Sequence, residues 1–403
     1  MKRRILENTV MIVGILVLIS GVVLAPNISS SQTSKIVIGV PVPTTGFLGE
    51  VGQAVAAGCE FAVFEANEKG GILGRKIEMR VEDTKAEPNT AAAVAEKLLT
   101  KDKVFALVGG LGSVPDFSML QSIKGYNPLI IHCSSSALKV EETFGQMPGY
   151  FHVFIWDYQR QMTAVKFLGS LSPKPKTIGM LYEDGIYGTL AYDYAKQFFK
   201  ESGFDLILGE SFKSRSPDFS AILGKVKVKD PEILYVAGFA MDYVQLARQS
   251  KTLEVNPKLK LLVDSGNVRK DFGEEGDGLA FVQLWSPKTN IPGMKEWVAR
   301  FDKFKPGYGP RSGVGLGYGS MDILLKAIER AGALDKEKVI AALERGKFWT
   351  PFGEGLSFKP SQKAKHQLMN EDTQVIIQYH GNEEEVVFPF KAASAKLRYP
   401  VSR

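Results

Sequence analysis

The chain has 403 residues, enough for two domains of ordinary size, because globular domains usually contain about 100 to 200 residues. Hydrophobic residues make up 44% and charged residues 23%, which excludes a largely disordered, collagenous or disulfide-scaffold protein. The formal net charge is +6, and about +4 remains when the charges of the first 34 residues are removed. A charge this small does not predict nucleic-acid binding.

The first 34 residues have the pattern of an export signal. Cations at positions 2, 3 and 4 precede an apolar run of 16 residues, 10–25, and a polar stretch follows. A bilayer core requires about 20 apolar residues, so the run is short for a membrane span, although an uncleaved N-terminal anchor stays open as the alternative. Pro26 disfavours cleavage directly before it, and the segment has no cysteine for a lipid anchor.

Two cysteines, Cys59 and Cys133, permit at most one disulfide bond in an oxidising compartment. Cys59 falls within an apolar helical pattern, and Cys133 ends an apolar strand pattern. Small hydrophobic residues are common at such positions, so we expect two buried free thiols.

From Lys35 onward, short apolar runs alternate with longer segments of helical period, the pattern of strand and helix units around a mostly parallel sheet. The alternation occurs twice, before and after about residue 156. Strands are predicted at 36–40, 77–81, 104–108, 129–133, 177–182, 205–208, 233–237, 259–263, 279–284, 356–358, 375–379 and 385–388. Helices are predicted at 49–67, 89–99, 114–123, 159–171, 187–202, 219–226, 242–251, 294–304, 318–331 and 336–345.

These elements predict an α/β protein with two doubly wound parallel-sheet lobes that are joined by crossover hinges. We expect residues 35–156 and 286–360 to form the first lobe, and residues 157–285 and 361–395 to form the second. Residues 1–34 are then a signal peptide, or an N-terminal anchor, with a short linker. Open α/β sheets bind ligands at the carboxyl ends of their strands, so the site is expected in a cleft between the lobes.

The sequence lacks the signatures of several enzyme classes. Its four histidines show no metal-ligand spacing, and it contains neither a GxSxG elbow nor a GxxxxGK loop. The glycine cluster at 109–112 follows a strand, as a phosphate-binding turn would, but lacks the dinucleotide spacing. We therefore expect no catalysis, no cofactor and no metal.

Serine-rich loops follow two consecutive strands. Ser113 begins a helix, and Ser134, Ser135 and Ser136 come directly after the next strand. Helix-start amides and fixed hydroxyl donors favour anions, whereas capping and turn formation are the purely structural alternative. Since both loops would face one cleft, they predict a carboxylate site.

The second half of the chain supplies aromatic side chains at the corresponding positions. Tyr187 starts a predicted helix, and Phe239 lies just beyond a predicted strand. Trp156, at the crossover between the two halves, could line the same cleft. Such rings bury apolar ligand surface, which stabilises a complex by roughly 25 cal/mol per Å².

At these residues the chain resembles the leucine/isoleucine/valine-binding protein family, the periplasmic type I solute receptors of ABC importers. The resemblance covers about residues 36–389. Its matching segments are Ile38-Gly39-Val40, Thr45-Gly46 with Gly52, the run from Ala66 to Ile77, Asp83-Thr84, Gly109 to Ser113, Tyr182 to Gly188, and Asp218-Phe219-Ser220.

The resemblance implies roles for several of these residues. It places the ligand's α-carboxylate on Ser113 and on Ser134, Ser135 and Ser136, and it places the aromatic wall of the second lobe on Tyr187 and Phe239. The family's acidic partner for the α-ammonium falls on Ser265, so that carboxylate is missing. Asp264 or Asp184 could substitute, although a neighbouring strand residue points the other way. An uncompensated buried ammonium is costly, so a small organic or aromatic acid, or an amide, is the alternative ligand.

The function implied by the resemblance is capture of a small branched-chain or hydrophobic amino acid outside the cytoplasmic membrane. The lobes close on the solute by hinge bending, and a membrane permease of an ABC transporter receives it unchanged. The protein is then a periplasmic monomer, possible membrane contact being limited to an uncleaved anchor. A ligand-sensing module on the same fold, and an enzyme that uses the cleft, are the competing hypotheses.

Overall fold

A computed structural model describes residues 35–263 and 269–401. The predicted leader at 1–34 and the candidate ligand residues Asp264 and Ser265 lie outside the described residues. The described chain builds one five-stranded sheet, one seven-stranded sheet and a small two-stranded sheet. We call the five-stranded sheet with its helices the first lobe, and the seven-stranded sheet with its helices the second lobe.

The first lobe is built on a fully parallel sheet with the strand order β2-β1-β3-β4-β5. Because every strand runs the same way, their carboxyl ends meet at one edge. The strands are β1 (Ile36–Val42), β2 (Ile77–Asp83), β3 (Ala106–Gly109), β4 (Ile130–His132) and β5 (Tyr150–His152).

Helices cover both faces of this sheet, as the double winding predicts. On β3, Val108 packs into the core beneath α1 and α11, while its neighbour Leu107 packs into the core beneath α2 and α3. The helices are α1 (Gly49–Glu68), α2 (Pro88–Thr100), α3 (Ser113–Ile123), α4 (Leu138–Phe144), α10 (Met294–Phe304), α11 (Ser312–Ala331) and α12 (Lys336–Arg345).

The second lobe has the strand order β14-β13-β10-β9-β8-β6-β7. Strands β6 to β10 are parallel, whereas β13 is antiparallel to β10 and β14 is antiparallel to β13. The strands are β6 (Thr177–Glu183), β7 (Asp205–Phe212), β8 (Ile233–Ala237), β9 (Leu259–Val263), β10 (Ala280–Gln283), β13 (Val375–His380) and β14 (Glu383–Phe388). Its helices are α5 (Asp157–Gly169), α6 (Ile186–Glu201), α7 (Ser220–Lys229), α8 (Ala240–Thr252) and α9 (Arg269–Phe272).

The chain crosses between the lobes three times. It leaves the first sheet after β5, returns after β10 to form α10 to α12 on the first lobe, and crosses again to add β13 and β14 to the second sheet. This order confirms the predicted fold of two α/β lobes joined by crossovers. The precise lobe boundaries given above remain a prediction.

Several predicted elements differ from the structure in their limits, such as β7, which extends four residues beyond the predicted 208, and two of the differences have a clear cause in the sequence. The strand expected at 356–358 lies instead at β12 (Gly353–Leu356), which pairs with β11 (Phe348–Thr350), because two glycines break the apolar pattern that marks a strand. Helix α11 begins six residues before the expected 318, and its first turns contain a glycine at every second position from 313 to 319. These glycines hide the apolar periodicity, yet two of them, Gly313 and Gly317, let α11 lie close to α1.

Four short helices and strands of the described chain were not predicted from the sequence. Helices α4 and α9 and strands β5 and β11 are only three to seven residues long, too short for periodicity to reveal. Within residues 35–263 and 269–401, no helix combines the length and hydrophobicity needed to cross a bilayer.

Candidate functional site

The serine loops of the first lobe lie together at the carboxyl edge of its sheet. Ser113 begins α3 after β3, and residues 134–136 follow the neighbouring strand β4. The Ser135 hydroxyl donates a hydrogen bond to Oγ of Ser113 at 3.3 Å, and the Gly112 N–H donates to Oγ of Ser134 at 3.2 Å. The fold therefore brings together the four serines that the sequence singled out.

The glycine turn after β3 is shaped by the residues beneath it. Gly110 has φ +90°, and a Cβ there would lie 2.7 Å from the imidazole of His132. Nε2 of His132 lies 3.2 Å from Oδ2 of the buried Asp116, and its Nδ1 is 2.8 Å from the Tyr150 hydroxyl. Close packing on this polar cluster explains Gly110 without a phosphate ligand.

The loop after β4 is held in an uncommon conformation. Ser135 has φ +72°, in the left-handed region that costs a non-glycine residue about 1 to 3 kcal/mol unless the surroundings fix it. His152 lies beneath the loop, and its Nε2 is 3.0 Å from the carbonyl oxygens of both Ser134 and Ser135. Burial lowers the pKa of His152 well below its usual value, with a further contribution from His132, so the ring is neutral.

The predicted aromatic pair is also brought together, on the second lobe. The ring centroids of Tyr187 and Phe239 are 5.8 Å apart at the starts of α6 and α8. Glu183 fixes the turn before α6, since its carboxylate accepts hydrogen bonds from the N–H groups of Gly185 at 2.6 Å and Gly188 at 2.7 Å.

Sequence reasoning missed an aromatic residue that contacts this pair from the first lobe. Phe47, between β1 and α1, lies edge-on to Phe239 with a centroid distance of 6.1 Å. The guanidinium of Arg215, also on the second lobe, lies 5.3 Å from the Phe47 centroid. Phe47 directly follows the Thr45-Gly46 motif, but nothing in its local sequence indicates a contact with a residue almost 200 positions away.

A second missed residue, Arg160, connects the serine loop to the aromatic pair. Its Cζ lies 5.8 Å from the Tyr187 centroid and 5.6 Å from that of Phe154. Asp157 lies on the same helix, and its Oδ1 is 3.7 Å from Nη1 of Arg160. The backbone N–H of Asp157 donates a hydrogen bond to the Ser136 carbonyl oxygen at 2.9 Å. Burial raises the pKa of Asp157 to about 6, while the charge of Arg160 acts in the opposite direction.

Trp156 occupies a different place from the one expected. It is fully buried and stacks on His152 with a centroid distance of 3.7 Å, so it lies beneath the serine loop. The backbone N–H of Trp156 donates to Oε1 of Gln159 at 3.0 Å, at the start of α5. In this structure Trp156 supports the serine loop through His152, and its predicted contact with a ligand stays a prediction.

The described residues include no group of three potential ligands that could hold a metal ion. Cys59 and Cys133 are buried free thiols, which confirms the expectation from their sequence context. In the described part of the chain, the candidate site thus combines hydroxyl and amide donors on the first lobe with the rings of Tyr187 and Phe239 on the second, and Phe47 of the first lobe contacts Phe239.

Comparison with known proteins gives these features a context. The periplasmic binding protein family matches residues 35–371. The leucine-, isoleucine-, valine-, threonine- and alanine-binding protein of Pseudomonas aeruginosa is 27% identical over 337 residues, covering 80% of this chain and 85% of that protein.

Two solved structures share the fold. A branched-chain amino acid transporter substrate binding protein from Streptococcus pneumoniae, in complex with isoleucine, superposes with a TM-score of 0.76 at 22% identity over 88% of this chain and 99% of that chain. A solute binding protein of an ABC transporter from R. palustris, in complex with benzoate, superposes with a TM-score of 0.76. It is 16% identical, and the match covers 91% of this chain and 98% of that chain. The family match covers most of the chain and agrees with the two-lobed fold, so the chain belongs to the periplasmic binding protein family.

Proposed function

We propose that this protein is an extracytoplasmic receptor of an ABC importer that captures a small branched-chain or hydrophobic amino acid and delivers it unchanged to a membrane permease. One observation carries the proposal: four serines on the first lobe and two aromatic rings on the second lie at the ends of their strands, connected through Asp157 and Arg160.

The serine loops suit a carboxylate. Ser113 opens an eleven-residue helix whose first amides carry a partial positive charge, and the Ser135 hydroxyl lies beside it. Hydroxyl and amide donors that are already fixed lose little entropy when they bind an anion, and hydrogen bonds to a charged group contribute about 1.5 to 3 kcal/mol each.

The aromatic side suits an apolar side chain. Tyr187 and Phe239 are partly exposed at the carboxyl end of the second sheet, and Phe47 reaches them from the first lobe. Rings from both lobes would enclose an aliphatic group when the lobes approach each other. The names of the related proteins from P. aeruginosa and S. pneumoniae support a branched-chain amino acid.

The ligand's ammonium is the point on which the ligand class depends. The family's acidic position falls on Ser265, outside the described residues, so a ligand without an ammonium group is the second candidate. The benzoate complex of the R. palustris protein, which has the same fold, favours a small organic or aromatic acid as that second candidate.

A thermal-shift screen separates these ligands. We expect L-leucine at 100 times its Kd to add about 2.7 kcal/mol to the free energy of unfolding, and leucinamide, which lacks the carboxylate, to add far less. Stabilisation by 4-methylpentanoate or benzoate but not by leucine would instead support the acid receptor. No effect from any of the carboxylates would contradict the proposal, and recovery of the ligand intact by mass spectrometry tests the absence of turnover.

Export and partners belong to the same proposal. We infer that residues 1–34 direct the chain across the cytoplasmic membrane. On the outer side of that membrane the protein acts as a monomer, which is either released or held by an uncleaved anchor. N-terminal sequencing of the protein from its native compartment distinguishes cleavage from retention. Cytoplasmic recovery of the mature protein would contradict the export.

A further inference from the structure

We propose that His152 is a positioning residue, which holds the loop of Ser134, Ser135 and Ser136 in the conformation that receives the ligand's carboxylate. The inference rests on the proposed function, because it assumes that this loop binds the carboxylate. It concerns a residue that does not face the ligand and that neither the serine motif nor the aromatic pair indicates.

The contacts of His152 are directed at the loop backbone. Its Nε2 lies 3.0 Å from the Ser134 carbonyl oxygen and 3.0 Å from the Ser135 carbonyl oxygen, so one N–H is shared by two successive peptide groups. A neutral imidazole can donate there only as the tautomer protonated on Nε2. No described atom bonds Nδ1 of the same ring, so within the described chain the loop is the only hydrogen-bonding partner of the His152 imidazole.

Peptide geometry converts this contact into an anion site. The bonds between residues 134 and 136 are trans, so each carbonyl points away from the N–H of the same peptide group. Because both carbonyls point at His152, the N–H groups of Ser135 and Ser136 point away from it. Neither N–H donates to an acceptor within residues 35–263 and 269–401, so both are available to a ligand.

The ring of His152 is itself fixed. Trp156 stacks on it with a centroid distance of 3.7 Å and an interplanar angle of 10°, and the ring of His132 on the neighbouring strand lies 5.6 Å away. His152 is fully buried at the end of β5, paired in register with His132. A rigid donor in this position compensates for the left-handed conformation of Ser135, which has φ +72°.

Two substitutions at His152 separate the donor from the ring. His152→Phe keeps a flat ring against Trp156 but removes the N–H, whereas His152→Gln keeps an N–H at a similar reach and removes the ring. The matched control is His366→Phe, since His366 is also buried, stacks on Phe151 at 4.2 Å and bonds a backbone carbonyl, that of Tyr150, outside the serine loop.

Isothermal titration with L-leucine and 4-methylpentanoate measures the effect on binding. We expect His152→Phe to weaken binding of the carboxylate probe that the wild type accepts by about 10- to 100-fold, as for the loss of one charged hydrogen bond or more. His152→Gln should recover most of that loss, and His366→Phe should change affinity less than about threefold. Equal affinities for His152→Phe and wild type would overturn the inference while leaving the proposed function intact.

Crystal structures of the variants test the inference without a ligand. In His152→Phe we expect Ser135 to leave the left-handed region and at least one of the two loop carbonyls to turn outward, and in His152→Gln we expect the wild-type loop. An unchanged loop in a folded His152→Phe protein would overturn the inference even if the wild type binds neither probe, a result that would separately contradict the proposed function.

Discussion

Two serine hydroxyls, those of Ser113 and Ser135, meet at 3.3 Å just beyond the carboxyl ends of β3 and β4. We expect the double substitution Ser113→Ala and Ser135→Ala to weaken binding of a carboxylate ligand by at least about 1 to 3 kcal/mol, measured by calorimetry. Ser122→Ala is the control, because the Ser122 hydroxyl bonds backbone carbonyls of α2 and α3 away from the loop. Unchanged affinity in the double variant would remove these hydroxyls from the site.

Asp83 fixes the turn that leads to Phe47. Partial burial acts to raise its pKa, but hydrogen bonds from the Thr45 hydroxyl and from the N–H groups of Lys85, Thr44 and Thr45 outweigh burial and lower the pKa to about 2. The folded pKa is below the unfolded one, so the stabilisation is complete above about pH 4 and is lost as the pH falls through 2.

We therefore expect Asp83→Asn to lower the free energy of unfolding by about 1 to 2 kcal/mol at pH 7, and the difference from wild type to shrink between pH 4 and pH 2. Denaturant titration at several pH values measures both quantities. Glu82→Gln, which removes only a surface ion pair with Lys97, should change stability by less than about 1 kcal/mol. A difference between Asp83→Asn and wild type that stays constant with pH would contradict the role of the carboxylate.

At the scale of elements, the contact between α1 and α11 depends on the absence of a side chain. A Cβ on Gly58 would lie 2.0 Å from the Val314 carbonyl oxygen. We expect Gly58→Ala to destabilise the protein by about 1 to 3 kcal/mol, because the helices must move apart. On α7, a Cβ on Gly224 would meet no atom within 4 Å, so Gly224→Ala should instead stabilise by about 0.5 to 1 kcal/mol. Thermal unfolding of both variants gives the signs, and the same sign for both would contradict this account.

The elements also show how far the sequence can be interpreted. Long helices with an apolar period, such as α10 and α12, match their predicted limits, because one face of each packs into the core. Strand β5 was not predicted, because three buried residues are too few to show a period. The position of His152 at the end of that strand was therefore not predicted either. A histidine within an apolar stretch gives no sign that it bonds two carbonyls 17 and 18 residues earlier.

At the scale of the molecule, the two lobes meet through Phe47 and Phe239. An aromatic pair of this kind contributes about 0.5 to 1.5 kcal/mol beyond its buried area. If ligand binding closes the lobes, Phe47→Ala should weaken binding by about 3- to 10-fold, measured by calorimetry. Phe64→Ala is the control, since Phe64 is similarly exposed but packs on Phe304 within the first lobe. An equal loss of affinity in both variants would indicate a general loss of stability rather than a specific effect on the closure of the lobes.

The sequence predicted the two lobes and the residues at the ends of their strands, because strand order in α/β proteins follows from the alternation of elements. The same argument placed Ser113 beside Ser135 and Tyr187 beside Phe239, as the structure shows. It could not predict the contact of Phe47 with Phe239, which depends on how the lobes approach each other. It could not predict the contacts of Arg160 either, because they depend on how α5 packs beside the start of α6 within the second lobe and leave no local pattern in the chain.

Strands β13 and β14 lie near the end of the chain and are therefore synthesised last, which has a consequence for folding during synthesis. Strand β10 is buried, and its outer edge is covered only by β13, almost 100 residues further along the chain. Until that segment has emerged, an apolar ribbon with unpaired peptide groups is open to association with other chains. A nascent polypeptide of this kind benefits from a holding chaperone, and premature termination before residue 375 should yield insoluble material rather than a half-active fragment.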